Sequence, residues 1–319
     1  MKNVFCIGEA LIDFICTDID TDLSHGSHFL KKAGGAPANV AASVAKLGGQ
    51  ASFFGKVGSD AFGGFLVDEM NRHGIDCSHV VKDEKLPTTL AFVSLKGDGE
   101  RDFEFFRGAD GNLKYEEIAE SALQRFALYH FGSATGLLDG VLRETYMQLL
   151  KFAKKSGKVV SFDPNYRKLL WNEETQTFIE RVKACLKYVD FIKLSDEEAN
   201  LIFGTKDYQA AAEEIHGYGV KSIAITCGKK GTFLSVNNNH ETVASINIES
   251  VDSTGAGDAF VGAMLYQLAC SEDAQSDLDN IKIMNSYTSL SNRVGAITCT
   301  KYGAMEAMPT LKEVEVDFN

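Results

Sequence analysis

Val251-Asp252-Ser253-Thr254-Gly255-Ala256-Gly257-Asp258-Ala259-Phe260 reads as a loop that empties directly into a helix. Its two glycines allow unusual backbone dihedrals and the close approach of a ligand. Ala259, Phe260, Ala263, Met264, Gln267 and Leu268 then recur at helical spacing. The N–H groups of the first helical turn, with the helix dipole behind them, attract an anion. Asp258 stands where a carboxylate addresses whatever that anion reacts with. A phosphate donor held on backbone N–H groups, facing a carboxylate that orients an acceptor hydroxyl, is the layout of phosphoryl transfer. The same string also fits a plain glycine-rich βα turn whose Asp caps its helix, so the decision rests on the rest of the chain.

Length and composition narrow the class. The 319 residues suggest about two domains, or one large α/β unit with an insertion. No run approaches the about 18 apolar residues of a membrane span, and Met1 to Gly8 is too short for a secretory signal before Glu9 arrives. Seven scattered cysteines (Cys6, Cys16, Cys77, Cys185, Cys227, Cys270 and Cys299) form no CxxC pair, which fits reduced thiols and a cytoplasmic location. The net charge of −12 argues against nucleic acid or an anionic membrane as partner. It also means that a polyphosphate is not drawn in by the global field; local N–H groups, a few cations and a metal must hold it.

Strand and helix signals alternate along most of the chain. Strands are expected at 4–7, 51–55, 128–131, 159–162, 191–194 and 222–226. Helices are expected at 40–47, 61–72, 141–155, 175–186, 196–203 and 208–218. Such alternation predicts a parallel sheet covered on both faces. Residues 232–236 and 243–248 read as an antiparallel edge. Two apolar strand-like runs, 90–95 and 102–106, flank Lys96-Gly97-Asp98-Gly99-Glu100, whose Asp-Gly signals a hairpin. With the extended segments at about 10–33, the segment at about 86–108 is expected to form a small β-sheet standing off a single α/β domain spanning 1–319.

Ligands of such sheets bind where the parallel strands end, and polar clusters fall at those ends. Glu9 and Asp13 follow the first strand, and Gly34, Gly35 and Asn39 precede a helix. Asp163-Pro164-Asn165-Tyr166-Arg167, Lys193-Leu194-Ser195-Asp196-Glu197-Glu198 and Thr226-Cys227-Gly228-Lys229-Lys230-Gly231 follow later strands. Each alone is an ordinary turn or cap; their recurrence at one sheet edge is what speaks for a site. Arg107, at the end of the hairpin and followed by Asp110, has the fork to clamp a phosphoryl group or a substrate. His25 and His28 lack the third ligand of a metal site, and Trp171, Phe53 and Phe54 read as core.

These motifs resemble the ribokinase-like (PfkB) sugar kinases over essentially the whole chain, most specifically in Asp252 to Asp258 and in Gly34-Gly35-Ala36-Pro37-Ala38-Asn39. The resemblance implies a three-layer α/β/α sandwich with a mainly parallel sheet and a small inserted β-sheet lid. It also implies ATP-dependent phosphorylation of a sugar's primary hydroxyl. Asp258 would be the base, with Gly255, Ala256 and Gly257 as anion hole. Asp13, Gly34, Gly35, Asn39, Arg107, Asp110 and Arg167 would hold the sugar. Thr226, Gly228, Gly231, Asn285 and Asn292 would hold ATP. Glu198 would reach Mg²⁺ through water, and Asp252 and Thr254 a monovalent cation, K⁺, opposite the backbone of 298–303. Ser195 stands where the family often has Asn. Lid edges in the family often pair, so a homodimer through the lid is expected.

Within the family, Gly99-Glu100-Arg101, Phe105-Phe106-Arg107, Ala109-Asp110 and Val294-Gly295-Ala296-Ile297-Thr298 are similar to fructokinases, which makes D-fructose the expected acceptor. 2-Keto-3-deoxygluconate kinases share the Asp-Pro-Asn-x-Arg stretch and are the nearest alternative. A sugar-binding relative without catalysis would be expected to lose the Gly255–Asp258 run. A nucleotide-dependent oxidoreductase would need G-x-G-x-x-G where Gly8-Glu9-Ala10 stands. With an ordinary carboxylate pKa near ~4, Asp258 would be ionised at pH 7 without an activating partner.

Overall fold

The apolar runs pair as period-2 strands, and alternate residues of each strand feed two different cores. Val4 and Cys6 of the first strand point into one apolar cluster, Phe5 and Ile7 into the other. The computed structural model describes residues 1–95 and 101–316. The turn expected at Lys96 to Glu100 lies outside the described residues.

In chain order the strands are β1 Asn3–Ile7, β2 Leu11–Cys16, β3 Phe29–Gly34, β4 Gln50–Phe54, β5 Lys56–Gly58, β6 Val81–Asp83, β7 Leu90–Leu95, β8 Arg101–Phe106, β9 Leu128–Phe131, β10 Val159–Phe162, β11 Phe191–Ser195, β12 Ser222–Thr226, β13 Thr232–Val236 and β14 Asn239–Val243. Eight of them form one sheet in the order β14-β13-β12-β11-β10-β9-β1-β4. Pairing is parallel from β4 to β12 and antiparallel at β13 and β14. All six parallel strands therefore end at one edge, and the strand order reverses at β1, the usual place for a ligand crevice.

Helices cover both faces. Helix α1 (Ala36–Lys46) and the helices Ala256–Cys270 and Ile281–Thr298 close one core; Val141–Lys155, Thr175–Leu186, Asp196–Phe203 and Tyr208–Gly217 close the other. Among the described residues no helix is long and apolar enough to cross a membrane.

The antiparallel edge differs from expectation. Its outer strand is Asn239–Val243, not 243–248. Asn237 and Asn238 take left-handed φ of 47° and 62°, the conformation of a two-residue hairpin turn. The chain therefore turns back at once, and the polar Asn239 to Thr242 stretch serves as a mostly exposed edge strand, where polar residues suit.

The remaining strands form a four-stranded sheet in the order β3-β2-β7-β8 and a short pair β5-β6. One face of the four-stranded sheet packs against helix α2 (Ala61–Arg72): Phe14 stacks on Phe92 at 4.9 Å and meets Phe62 edge-on at 5.7 Å, and Lys31 Nζ lies 3.6 Å over the Phe65 ring. The opposite face carries Asp13 and, further along, the cross-strand row Leu30, Ile15, Val93 and Phe103. There Ile15 and Leu30 are 41% and 48% exposed, an apolar face that nothing in the described chain covers.

Candidate active site

The stretch at 251–258 folds around one left-handed residue. Gly255 caps the helix Ala256–Cys270 in the left-handed region, at φ 77°, and a β-carbon there would stand 2.8 Å from Ala304 Cβ. Gly257 is ordinary helix. Its need is space, since a β-carbon would lie 2.9 Å from Lys193 Nζ. Dihedral freedom thus explains the first glycine and close approach the second. Of the first helical N–H groups, that of Ala256 donates to Ser253 O at 3.2 Å; those of Gly257 and Asp258 have no intrahelical acceptor, as is usual for the first turn of a helix.

Asp258 does not cap the helix. It is buried in the first turn and accepts a hydrogen bond from Asn39 Nδ2 at 2.8 Å. Asn39 comes from α1, whose Pro37 sits in the first turn and whose cap is Gly35 at φ 114°. A β-carbon on Gly35 would run into Glu9 O, and one on Gly34 into Asp13 Oδ2, so the double glycine makes room for the backbone and carboxylate behind it. The buried Oδ1 of Asn39 has no partner within the fold. That is an acceptor left for a hydroxyl, immediately beside Asp258.

Burial pushes the Asp258 carboxyl from its ordinary 3.8 up to about 6, against the Asn39 hydrogen bond and the Arg167 and Lys193 charges, which pull it down. Asp13 is likewise raised to about 6 by burial, with Arg167 opposing. One exposed arginine therefore acts on both carboxylates. The expectation of an unperturbed Asp258 near 4 is corrected, because sequence carries no information on how deeply the first turn is buried.

Glu9 joins the pieces of this crevice. Its carboxylate accepts from Ala36 N and Ala134 N, each at 3.2 Å, from Thr135 Oγ1 at 3.3 Å and from Ser133 Oγ. Burial raises its pKa. Asp110, also buried, accepts from Thr89 Oγ1 and from Thr135 Oγ1 at 2.8 Å. Arg107 donates to Asp139 O at 2.8 Å and Thr135 O at 3.1 Å, with Nε 3.7 Å from Asp110. The Arg107 guanidinium thereby ties the end of β8 to the loop after β9.

At the end of β11, Glu198 accepts from Ser195 N at 2.8 Å and Tyr166 N at 2.7 Å, and Ser195 Oγ accepts from Glu198 N at 3.0 Å. This is a capping box. Ser195 in place of Asn thus has a clear local duty as N-cap. Thr226 donates to Leu194 O at 3.2 Å, and the following turn places Gly228 and Gly231 at φ 54° and 92°. Asn292 is buried and bridges Thr232 Oγ1, Val243 O and Ala244 O, so its amide supports the wall beside Gly231. Asn285 pairs with Glu241 and lines a shallow hollow of about 450 Å³ with Lys282, Ser286, Ser289, Leu290 and Arg293.

Asp252 accepts from Thr254 N, Thr254 Oγ1 and Gly303 N at 3.0, 2.6 and 3.0 Å; Val251 N and Asp252 N donate to Cys299 O. The 252–254 turn and the 298–303 loop are thereby laced together, offering hard oxygen donors suited to a monovalent cation. No cluster of three or more His, Cys, Asp or Glu able to bind a metal occurs among the described residues; His25 and His28 bind Asp22 and Asp18 separately.

Sequence reasoning left Glu9, Ser133, Thr135, Asp163 and Lys193 without a role. Their only sequence signal is position, just past or at the carboxyl ends of β1, β9, β10 and β11.

The whole chain has relatives. A family described as pfkB family carbohydrate kinase matches residues 1–311. Fructokinase-1 of Zea mays is 37% identical over 316 residues, covering 98% of this chain and 96% of that protein. Among solved structures, fructokinase with bound ATP from Xylella fastidiosa superposes with a TM-score of 0.87 at 33% identity, covering 98% of this chain and 96% of that one. A double mutant of Vibrio cholerae O395 fructokinase, in its fructose, ADP and potassium ion bound form, gives 0.86 at 30% identity, covering 98% and 97%.

Proposed function

The chain belongs to the pfkB family of carbohydrate kinases, and from that premise we propose that it transfers the γ-phosphoryl group of ATP to the 6-hydroxyl of D-fructose. The observation that carries the reading is the buried 2.8 Å hydrogen bond from Asn39 to Asp258. It couples the double-glycine turn, a sugar site, to the carboxylate at a helix N-terminus, a phosphate site. The substrate follows from relatives of this length and identity, one of which holds fructose and ADP.

In this reading Asp13, Asn39 and Arg167 hold the sugar, with Gly34 and Gly35 leaving it room and Arg107 and Asp110 fixing the wall around it. Asp258, ionised above about pH 6, orients O6 and takes its proton. The O6–Pγ bond forms as the bond from Pγ to the β-phosphate oxygen breaks, and ADP leaves with the electron pair. The transition state is loose, so Asp258 acts chiefly by positioning. The N–H groups of the Gly255–Asp258 turn stabilise the charge on the moving group. ATP lies along Thr226, Gly228 and Gly231 towards Asn285 and Asn292. Mg²⁺ bound to ATP neutralises its phosphate oxygens; Glu198, whose oxygens already accept N–H groups, suits contact through water. K⁺ would be held by Asp252, Thr254 and the 298–303 backbone, adding positive charge behind the anion hole.

The four-stranded sheet serves as a lid on a single kinase domain. Its apolar row of exposed Ile15 and Leu30 with half-buried Val93 and Phe103 supports pairing with a second copy, since an apolar face of this kind is normally covered. ATP dependence and seven free cysteines favour the cytoplasm. The test is a panel of acceptors with ATP, read by ADP release. Fructose should far exceed ribose, adenosine and 2-keto-3-deoxygluconate; a preference for the keto-acid would overturn the acceptor and leave the fold and Asp258 in place.

A further inference from the structure

Lys193 lies beside the first turn of the helix Ala256–Cys270 without a role assigned above. It projects from β11, is 8% exposed, and places Nζ 3.1 Å from Asp163 Oδ2. Burial pulls its pKa down, but Asp163, Glu198 and Asp258 outweigh that and leave it raised, so it is an ammonium ion. An ammonium carries three donors, and Asp163 accepts one. The same Nζ fronts the space beside Gly257 that any other residue would fill with a side chain, 2.9 Å from the β-carbon position. Gly257 has helical dihedrals and no conformational need for glycine. Leaving that space open to the ammonium gives a reason for it.

A stability role accounts poorly for this arrangement. Replacing a buried ion pair by apolar groups of similar volume is often neutral or favourable, so Asp163 and Lys193 could be exchanged at little cost if they served each other alone. The cation instead feels the charges of Asp258 and Glu198 as well as that of Asp163, and lies beside Gly257 in the first turn of the helix.

We propose that Lys193 is a further catalytic residue, whose ammonium donates to the phosphoryl group in transit between ATP and the sugar. The proposal rests on the kinase reading above. As the O6–Pγ bond forms and the bond from Pγ to the β-phosphate oxygen breaks, the proton of O6 passes to Asp258 and ADP departs with the electron pair. Lys193 keeps its protons throughout and hydrogen-bonds the oxygens whose charge must be stabilised. Asp163 holds the ammonium in place, and Gly257 gives it access.

The test uses the full chain and three variants: Lys193→Met, Asp163→Asn, and the double variant, in which no buried charge of the pair is stranded. Steady-state kcat and both KM values are measured beside thermal unfolding and calorimetric binding of fructose alone. Lys193→Met and the double variant should lose about 100- to 1,000-fold in kcat, the size of one lost transition-state donor. Asp163→Asn, which keeps the cation, should stay within about tenfold. Fructose binding should change less than about threefold in all three. A double variant that folds and turns over within about fivefold of the parent overturns the proposal. So does an equal loss in Asp163→Asn and Lys193→Met, the signature of a pair acting only as a structural unit. A parent chain that transfers phosphate from ATP to no sugar refutes the kinase reading, and this proposal with it.

Discussion

Replacing Asp258 with Asn should abolish most of the activity and stabilise the fold. Two separate physical effects act at this one carboxylate. As a base in the transfer it contributes the about 100- to 10,000-fold typical of positioned proton acceptors, or ~3–5 kcal/mol of barrier. As a buried anion it weighs against folding. A carboxyl moved from 3.8 to about 6 carries about 3 kcal/mol against its charged form. Asn has nearly the same shape, and its Oδ1 still accepts from Asn39 Nδ2. The fold should therefore recover about 1–3 kcal/mol, or a rise of roughly 1–5 °C in Tm.

The pH dependence gives that gain a signature. Above about pH 6 the native carboxyl is charged and the full penalty applies. As pH falls from 6 towards 3.8 the native state takes up a proton that the unfolded chain does not yet bind, which favours the native parent. The advantage of Asp258→Asn should be largest at pH 7–8 and vanish near pH 4. The assays are ADP release with saturating ATP and fructose, and thermal unfolding of parent and variant between pH 4 and 8. A correctly folded variant with near-normal kcat would refute the role of the base. A variant less stable than its parent at pH 8 would refute the burial argument, whatever its activity.

Other expectations follow from the same geometry. Because Asp258 and Asp13 are both raised to about 6, kcat/KM should fall as pH drops through about 6; a rate flat down to pH 5 would contradict their burial. Ser195→Ala removes an N-cap and should cost about 1 kcal/mol in denaturant unfolding, whereas Ser195→Asn, which still caps, should match the parent. Equal stability of the two would dismiss the capping box. Gly255→Ala imposes a left-handed alanine, costing about 1–2 kcal/mol, and crowds Ala304. Its Tm should drop and any response to K⁺ weaken, with an unchanged melting curve as the contrary result. Exchanging K⁺ for tetramethylammonium should slow the parent and affect Asp252→Asn far less; identical responses would remove Asp252 from the cation site.

Much of this was legible before any coordinates. Helices 61–72, 141–155, 175–186 and 196–203 begin and end where their apolar spacing, caps and glycines place them, because those signals are local. The edge strand was missed for the complementary reason. Asn239 to Thr242 has no apolar alternation, and only the left-handed pair Asn237 and Asn238 turns the chain in time to form it. Arg107 has a sequence neighbourhood that suits substrate clamping, yet two backbone carbonyls from a loop about 30 residues later capture its guanidinium. Glu9 and Lys193 stood out only as members of polar clusters at strand ends, without a role of their own, since nothing local distinguishes a buried charge from an exposed one.

The sequence by itself determined the class of chemistry. A glycine before a helix start and an acidic residue in its first turn suit an anion site with a carboxylate, and strand–helix alternation with polar clusters at the strand ends points to the sheet edge where it would lie. These are short-range properties, written within a few residues. Tertiary structure decided the electrostatics. Burial raises the Asp258 carboxyl to about 6, Asn39 becomes its partner with one acceptor to spare, and Lys193 becomes a buried cation beside Gly257. Each of these depends on how much water the fold removes and on which distant side chains it brings within a few ångströms. Solvent exclusion is a property of the packed layers, and no stretch of the chain encodes it alone.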